Sequence, residues 1–175
     1  MVTYTCITKL MKNEKWDIRG TSLGGLFVLE PWITPSLFYQ FLNQNQKNKI
    51  ALDIYSFCDV LGSKEGNRQL LSHYRHWFNE THIQSLSNKK ITHLRIPVGD
   101  WMFQPYGPYI GCTNGSKEYL DYVMNLCQKY RIRVLLDLHG VKESQNGLDN
   151  SGKSANMEFI VSPSNKERDS TLTFL

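Results

Sequence analysis

The feature that most constrains the fold is an almost uninterrupted apolar run at residues 132–138, Ile-Arg-Val-Leu-Leu-Asp-Leu. A strand of this kind is buried on both faces, which is typical of parallel sheets covered by helices. Two other strand-like segments precede it, at residues 18–23 and 91–98. Segments with helical periodicity separate the three, so the order β-α-β-α-β predicts a parallel α/β architecture.

Helix signals fill the intervals between these strands. Residues that favour the N-cap position begin three helices, and a glycine ends one of them. The predicted starts are Thr34, Asp53 and Ser116, the predicted end is Gly62, and two more helices cover roughly residues 68–78 and 81–86.

Composition excludes several classes of protein. The net charge of +4 comes from scattered residues, which argues against a nucleic-acid partner. No apolar run approaches the ~18 residues that a membrane span needs. The first ten residues lack the apolar core of a signal peptide, so the mature protein is intracellular or its true N-terminus lies elsewhere.

The four cysteines do not have the spacing of a zinc site or of a disulfide framework. Cys58 and Cys127 lie on apolar helical faces, which predicts two buried thiols. Cys6 and Cys112 are candidates for a disulfide if the protein is secreted, and the sequence does not decide this.

Working residues of parallel α/β folds cluster where the strands end. Glu30 and Trp32 follow the first apolar segments, and a carboxylate beside an indole is a common way to hold a sugar. The alternative is that Glu30 is an exposed charge and Trp32 is a core residue.

The second and third strands carry charged residues at apolar positions. Arg95 needs a partner if it is buried, and Asp137 is the obvious candidate for a structural pair under the site. Asp137 and His139 are two residues apart and so share one face of their strand. The polar loop 144–152 that follows is either a turn-rich connection or, as we favour beside His139, part of a ligand pocket.

Other chemistry finds little support. The GxSxG, GxxxxGK[ST], GxGxxG and HExxH motifs are absent. We interpret His73, His76 and His82 as surface or helix-capping residues.

Three segments in chain order carry a family resemblance. They are residues 19–25 with 29–38 (RGTSLGG and LEPWITPSLF), residues 94–101 (LRIPVGDW), and residues 137–140 with 144–152 (DLHG and SQNGLDNSG). Together they resemble the fungal-type exo-1,3-β-glucanases of glycoside hydrolase family 5. The resemblance implies a (β/α)8 TIM barrel of which this α/β chain carries about the first three units, with residues 1–175 forming one partial domain that is truncated after the third strand.

The resemblance also implies a function, which is removal of glucose from the non-reducing end of β-1,3-glucan with retention. The positions that match those binding the terminal glucose are Glu30, His139, Asp149 and Asn150, with Arg95, Asp137, Trp32 and Trp101 in support. Three departures from the family pattern concern substrate preference: Ser22 (with Thr21), Asp100 and Leu148.

The catalytic pair is expected elsewhere. Retaining hydrolysis needs two carboxylates ~5–5.5 Å apart, and in this family they are Glu residues on strands four and seven. Both the acid/base and the nucleophile are therefore expected beyond Leu175, no residue of the chain is assigned a catalytic role, and the 175 residues alone are expected to be inactive. The resemblance implies no metal or cofactor, a β-glucan or oligosaccharide substrate, a monomer when full length, and an extracellular or cell-wall location.

A different hypothesis makes the short chain a non-catalytic glucan-binding or regulatory protein. Its stacking surface would be Trp32, Trp101, Phe103 and Tyr106.

Overall fold

The computed structural model describes residues 17–42, 45, 49–142 and 144–155. Its centre is a three-stranded parallel sheet of β1 (Gly20–Ser22), β2 (His93–Gly99) and β3 (Arg133–Gly140), in the order β1-β2-β3. The predicted parallel α/β architecture is thus confirmed. The first strand is shorter than predicted, since only three of its residues pair with β2.

Five α-helices connect these strands in the described part of the chain. They are α1 (Pro35–Phe38), α2 (Ile54–Trp77), α3 (Glu80–Asn88), α4 (Tyr109–Cys112) and α5 (Ser116–Lys129), with 3-10 turns at Tyr39–Phe41, Asp100–Met102 and Asp149–Ser151. None of the helices in these ranges is long and apolar enough to cross a membrane.

Two of the predicted caps are confirmed and one is wrong by a residue. Thr34 is the N-cap of α1, and Asp53 forms a capping box with Ser56 at the start of α2. At α5 the N-cap is Gly115, and Ser116 is the first helical residue.

Gly62 does not end a helix. It has φ +71° and ψ 170°, a conformation that glycine adopts without steric cost, and helical structure resumes directly after it. The two helices predicted on either side of a connection are therefore one kinked helix, α2. The loop expected between them at residues 63–67 is helical.

The core lies between the sheet and the helices. Leu94, Ile96 and Val98 of β2 are fully buried, and helix side chains such as Ile54 and Leu70 cover them. The prediction that the third strand is buried on both faces is wrong. Leu135 of β3, on the face that it shares with Arg95, is 61% exposed, and Leu136 on the other face is 39% exposed, because other described residues cover neither face fully.

The cysteines correct the sequence prediction. Cys58 of α2 is not a free thiol, since it forms a disulfide with Cys112 at the end of α4. Cys112 therefore does not pair with Cys6, which lies outside the described residues. Cys127 is a buried free thiol as predicted, and burial raises its pKa to about 11.

Two of the three helical histidines match their interpretation. His76 is exposed, and the Nδ1 atom of His82 accepts a hydrogen bond from the Asn79 backbone in the capping box of α3. His73 does not lie on the surface. Its ring is half-buried and its Nε2 lies 2.7 Å from the Gly25 carbonyl oxygen, because this face of α2 packs on the turn after β1.

Candidate functional site

A network of hydrogen-bonded polar side chains crosses all three strands. Arg95 of β2 is its centre: Nη1 donates to Ser22 Oγ of β1 at 3.1 Å, and Nη2 donates to Asp137 Oδ2 of β3 at 2.5 Å. His139 Nδ1 lies 3.0 Å from the same carboxylate oxygen and 3.1 Å from Arg95 Nη2. The predicted Arg95–Asp137 pair and the shared face of Asp137 and His139 are confirmed.

This ion pair is open to the site rather than buried. The Arg95 side chain is 38% exposed and that of Asp137 is 28% exposed. Arg95 is therefore only partly buried, because other described residues do not cover this face of β2. An ion pair of this exposure contributes little to stability, and its main effect is to orient His139.

Glu30 and Trp32 occupy the turn that precedes α1. The Glu30 side chain is buried, at 8% exposure, and it accepts a hydrogen bond from Trp32 Nε1 at 3.1 Å. Trp32 itself is 74% exposed. This is the reverse of the alternative weighed from the sequence, in which Glu30 was exposed and Trp32 was buried.

Charges converge on the Glu30 carboxylate. Burial raises its pKa, whereas the Trp32 hydrogen bond and the positive charges of His139 and Arg95 act to lower it. The neighbouring Asp149 raises it further. Glu30, His139 and Asp149 therefore form one electrostatic cluster, although they come from separate segments of the chain.

Loop 144–154 carries Asp149 and Asn150 back over the end of β3. Near its start, Gln145 donates from Nε2 to the His139 carbonyl. Asn146 Nδ2 donates to Asn150 Oδ1 at 2.7 Å, and the Asn150 backbone donates to Asp149 Oδ1 at 3.0 Å. The side chains of Asp149 and Asn150 are half-buried, so they are held by the loop and remain partly open to solvent.

Trp101 packs against the segments that carry the site residues. It is fully buried and stacks on Tyr109 with ring centres 4.5 Å apart. A Cβ at Gly99, Gly140 or Gly152 would lie within 2.4 Å of its ring, so only glycine fits at these positions. Trp101 therefore cannot belong to the stacking surface that the glucan-binding hypothesis assigned to it.

In the sequence Asp100 stands out only as a departure from the family pattern, and its structural role is visible in the structure alone. Its buried carboxylate accepts hydrogen bonds from the Tyr106 hydroxyl at 3.0 Å and from the Lys142 backbone at 2.8 Å. It thereby ties the segment after β2 to the segment after β3. The signal available in the sequence was an acidic residue directly after the Gly99 that ends a buried strand.

The expectation about the catalytic pair stays a prediction. It places both Glu residues beyond Leu175, and Leu175 itself lies outside the described residues, the last of which is residue 155. Glu30 and Asp149, whose charges interact near the strand ends, are carboxylates that the sequence assigned to sugar binding.

In the ranges that the structure describes, no group of three or more His, Cys, Asp or Glu side chains has the geometry to hold a metal ion. The arrangement is instead a set of hydrogen-bonding groups beside an exposed indole. Such a set suits a ligand that carries several hydroxyl groups.

The similarity to known proteins is strong in sequence. The chain is 41% identical over 155 residues to glucan 1,3-beta-glucosidase 2 of Wickerhamomyces anomalus, and 43% identical over 138 residues to the glucan 1,3-beta-glucosidase of Yarrowia lipolytica. These matches cover 85% and 77% of this chain but 35% and 32% of the relatives. The chain thus spans about a third of the length of the curated relatives it matches. No protein-family profile matches it.

The fold has a counterpart among solved structures. The rutinosidase of Aspergillus niger superposes with a TM-score of 0.75 at 20% identity, over 91% of this chain and 43% of that one. This likeness shows the fold, and these residues form part of an α/β barrel. In sequence the chain is similar to about a third of the length of fungal glucan 1,3-beta-glucosidases, in line with the resemblance that its motifs carry.

Proposed function

We propose that the protein containing these residues hydrolyses β-1,3-glucan and releases glucose from the non-reducing end with retention of configuration. The observation that carries the proposal is the buried Glu30 carboxylate, held by the exposed Trp32 and sharing its electrostatic surroundings with His139 and Asp149. The names of the relatives, glucan 1,3-beta-glucosidases, support the substrate class.

The described residues would form the subsite for the terminal glucose. Glu30 and Asp149 accept hydrogen bonds from sugar hydroxyl groups, and Asn150 and His139 complete the set. The Trp32 indole offers an apolar face for the C–H groups of a sugar ring. Arg95 and Asp137 orient His139, and Trp101 holds the floor in place.

Bond cleavage needs two further groups. A retaining mechanism uses an acid/base carboxyl and a nucleophilic carboxylate ~5–5.5 Å apart. We assign these roles to Glu residues beyond Leu175, on strands four and seven of the same barrel, and we propose that residues 1–175 are part of that single domain and bind sugar without cleaving it. The acid/base chemistry of two carboxyl groups requires neither metal nor cofactor.

The proposal extends to location and assembly. We place the protein outside the cell or in the cell wall, as a monomer when full length. The Cys58–Cys112 disulfide supports this location, because disulfides persist in oxidising compartments and are rare in the cytosol.

The intact protein, isolated from its source, tests the proposal. Glu30→Ala should lower kcat/KM on a β-1,3-glucan by about 10- to 100-fold, since it removes a charged hydrogen-bonding partner of the transition state. The matched control is Glu65→Ala, which removes an exposed carboxylate on α2 that pairs only with neighbours outside the site. An unchanged kcat/KM for Glu30→Ala would contradict the assignment.

The mass of the native protein separates hydrolysis from simple binding. A mass well above 20.3 kDa, together with glucose release, supports the glycosidase. A native mass near 20.3 kDa with glucan binding and no glucose release would favour the non-catalytic alternative.

A further inference from the structure

The far end of loop 144–154 is fastened to the first turn of α2 by one carboxylate. Asp53 is buried, and its two oxygens have different partners. Oδ1 accepts from the Ser56 backbone at 2.7 Å and caps α2, whereas Oδ2 accepts from the Ser154 backbone at 2.7 Å. Helix capping requires only one acceptor oxygen. The second oxygen of Asp53 is therefore available to bind the Ser154 backbone.

Neighbouring contacts hold the same stretch of loop. The Tyr55 backbone and the Tyr109 hydroxyl each donate to the Gly152 carbonyl at 3.0 Å. The Lys153 ammonium lies 4.8 Å from the centre of the Tyr55 ring. Residues 152–154 thus pack against the start of α2, and Asp53 supplies the charged acceptor, which makes the strongest kind of hydrogen bond among these contacts.

Asp149 and Asn150 lie between two fixed ends of the loop. Gln145 bonds to the His139 carbonyl at one end, and Asp53 bonds to the Ser154 backbone at the other. A polar loop without such anchors samples many conformations, and ordering it on binding lowers affinity. Fixing both ends removes that cost before a ligand arrives.

We propose that Asp53 is a positioning residue for the sugar subsite, acting through the loop that carries Asp149 and Asn150. This inference rests on the proposed function for its ligand but not for its geometry. Serine retains a hydroxyl that caps the helix but lacks the second oxygen that reaches Ser154. Asp53→Ser therefore separates the two roles of this residue.

The experiment uses the intact protein and two measurements. Hydrogen exchange of the Ser154 amide reports the Asp53 contact directly, and the inhibition constant of glucose reports the subsite. For Asp53→Ser we expect Ser154 exchange to be about 10- to 100-fold faster, as for loss of a hydrogen bond to a charged group, and glucose inhibition to be about tenfold weaker.

A control variant removes a helix cap elsewhere. Asn79 caps α3: its side chain accepts from the Thr81 backbone and its own backbone donates to His82 Nδ1. Asn79→Ala should destabilise the protein as a cap loss does while leaving glucose inhibition and Ser154 exchange unchanged. If Asp53→Ser fails to fold, Ser154→Pro removes the same hydrogen bond from the donor side and leaves the α2 cap intact.

Three results would overturn the inference or its premise, and they can be told apart. Unchanged Ser154 exchange would show that the contact does not order the loop. Fast exchange with unchanged glucose inhibition would show that the contact orders the loop without positioning the subsite. A wild-type protein that neither hydrolyses glucan nor is inhibited by glucose would overturn the proposed function and, with it, the sugar-binding role of Asp53.

Discussion

Strands β2 and β3 look alike in sequence and differ in their surroundings. Both are apolar, both carry one charged residue near the middle, and the two charges pair with each other. β2 lies between two neighbours, and Leu94, Ile96 and Val98 are fully buried. β3 has one described neighbour, and Leu136, which pairs in register with the buried Ile96, is 39% exposed.

The difference teaches that apolar content specifies a strand and leaves its burial open. Burial is a property of the neighbours that cover the strand, so similar residues are core in β2 and surface in β3. The carboxyl ends behave differently, because the polar groups of all three strands meet there through Arg95.

The largest expected effect tests that contrast directly. Ile96→Ala in β2 should lower the free energy of unfolding by about 2–5 kcal/mol, since it leaves a cavity in a packed core. In a protein of these 175 residues alone, Leu136→Ala, at the position of β3 that pairs with Ile96, should lower it by about 1 kcal/mol. Urea unfolding followed by circular dichroism measures both. Equal losses at the two positions would show that β3 is covered in solution.

The two strands also differ in their covalent support. The Cys58–Cys112 disulfide joins the helices before and after β2, whereas the helix before β3 carries the free Cys127. Replacing both bridged cysteines by alanine should lower the free energy of unfolding by about 2–4 kcal/mol, mainly because the unfolded chain gains conformational entropy. Cys127→Ala should cost about 1 kcal/mol. A larger loss for Cys127→Ala would reverse the comparison.

A smaller effect is expected where the strands are linked. A double-mutant cycle with Arg95→Met and Asp137→Asn should give a coupling energy of about 0.5–1 kcal/mol, because both side chains are partly exposed. Repeating the cycle at about 1 M salt should reduce this coupling. A coupling that salt does not change would indicate a pair shielded from solvent.

The smallest effect concerns the pH dependence of stability. Burial raises the pKa of Glu30 above its ordinary value of 4.5 in the folded protein. As pH rises through 4.5 the unfolded chain loses its proton first, so folding stability falls until the pH exceeds the folded pKa.

Comparison with Glu30→Gln isolates this contribution. The melting temperature of the wild type, relative to the variant, should fall as the pH rises above 4.5. A relative melting temperature that rises over this interval would mean that Glu30 has a lowered pKa.

Much of the fold and of the site could be predicted because its signals are local. Runs of apolar residues predicted the strands, and helical periodicity predicted the helices. The cap of α2 follows from the residue type at Asp53. The pairing of Arg95 with Asp137 follows from two charges at apolar positions of adjacent strands. Predictions were wrong where one residue type is compatible with two local structures. Gly62 is an example, because a glycine can end a helix or lie at a kink within it.

Contacts between distant segments were not accessible in this way. The bond from Asp53 to the Ser154 backbone joins residues 101 apart, and nothing in either segment marks the other. The disulfide joins residues 54 apart, and the choice among four cysteines depends on which helices pack together.

The sequence by itself determined the order of elements, the parallel architecture, the family resemblance and the polar residues at the strand ends. These are encoded by periodicity, capping chemistry and motifs, all of which act over a few residues. Only the tertiary structure decided that Glu30 is buried while Trp32 is exposed, and that Trp101 is buried against glycines of three segments. The physical reason is that burial and hydrogen-bond partners depend on which distant segments come into contact, and that depends on the packing of the whole fold.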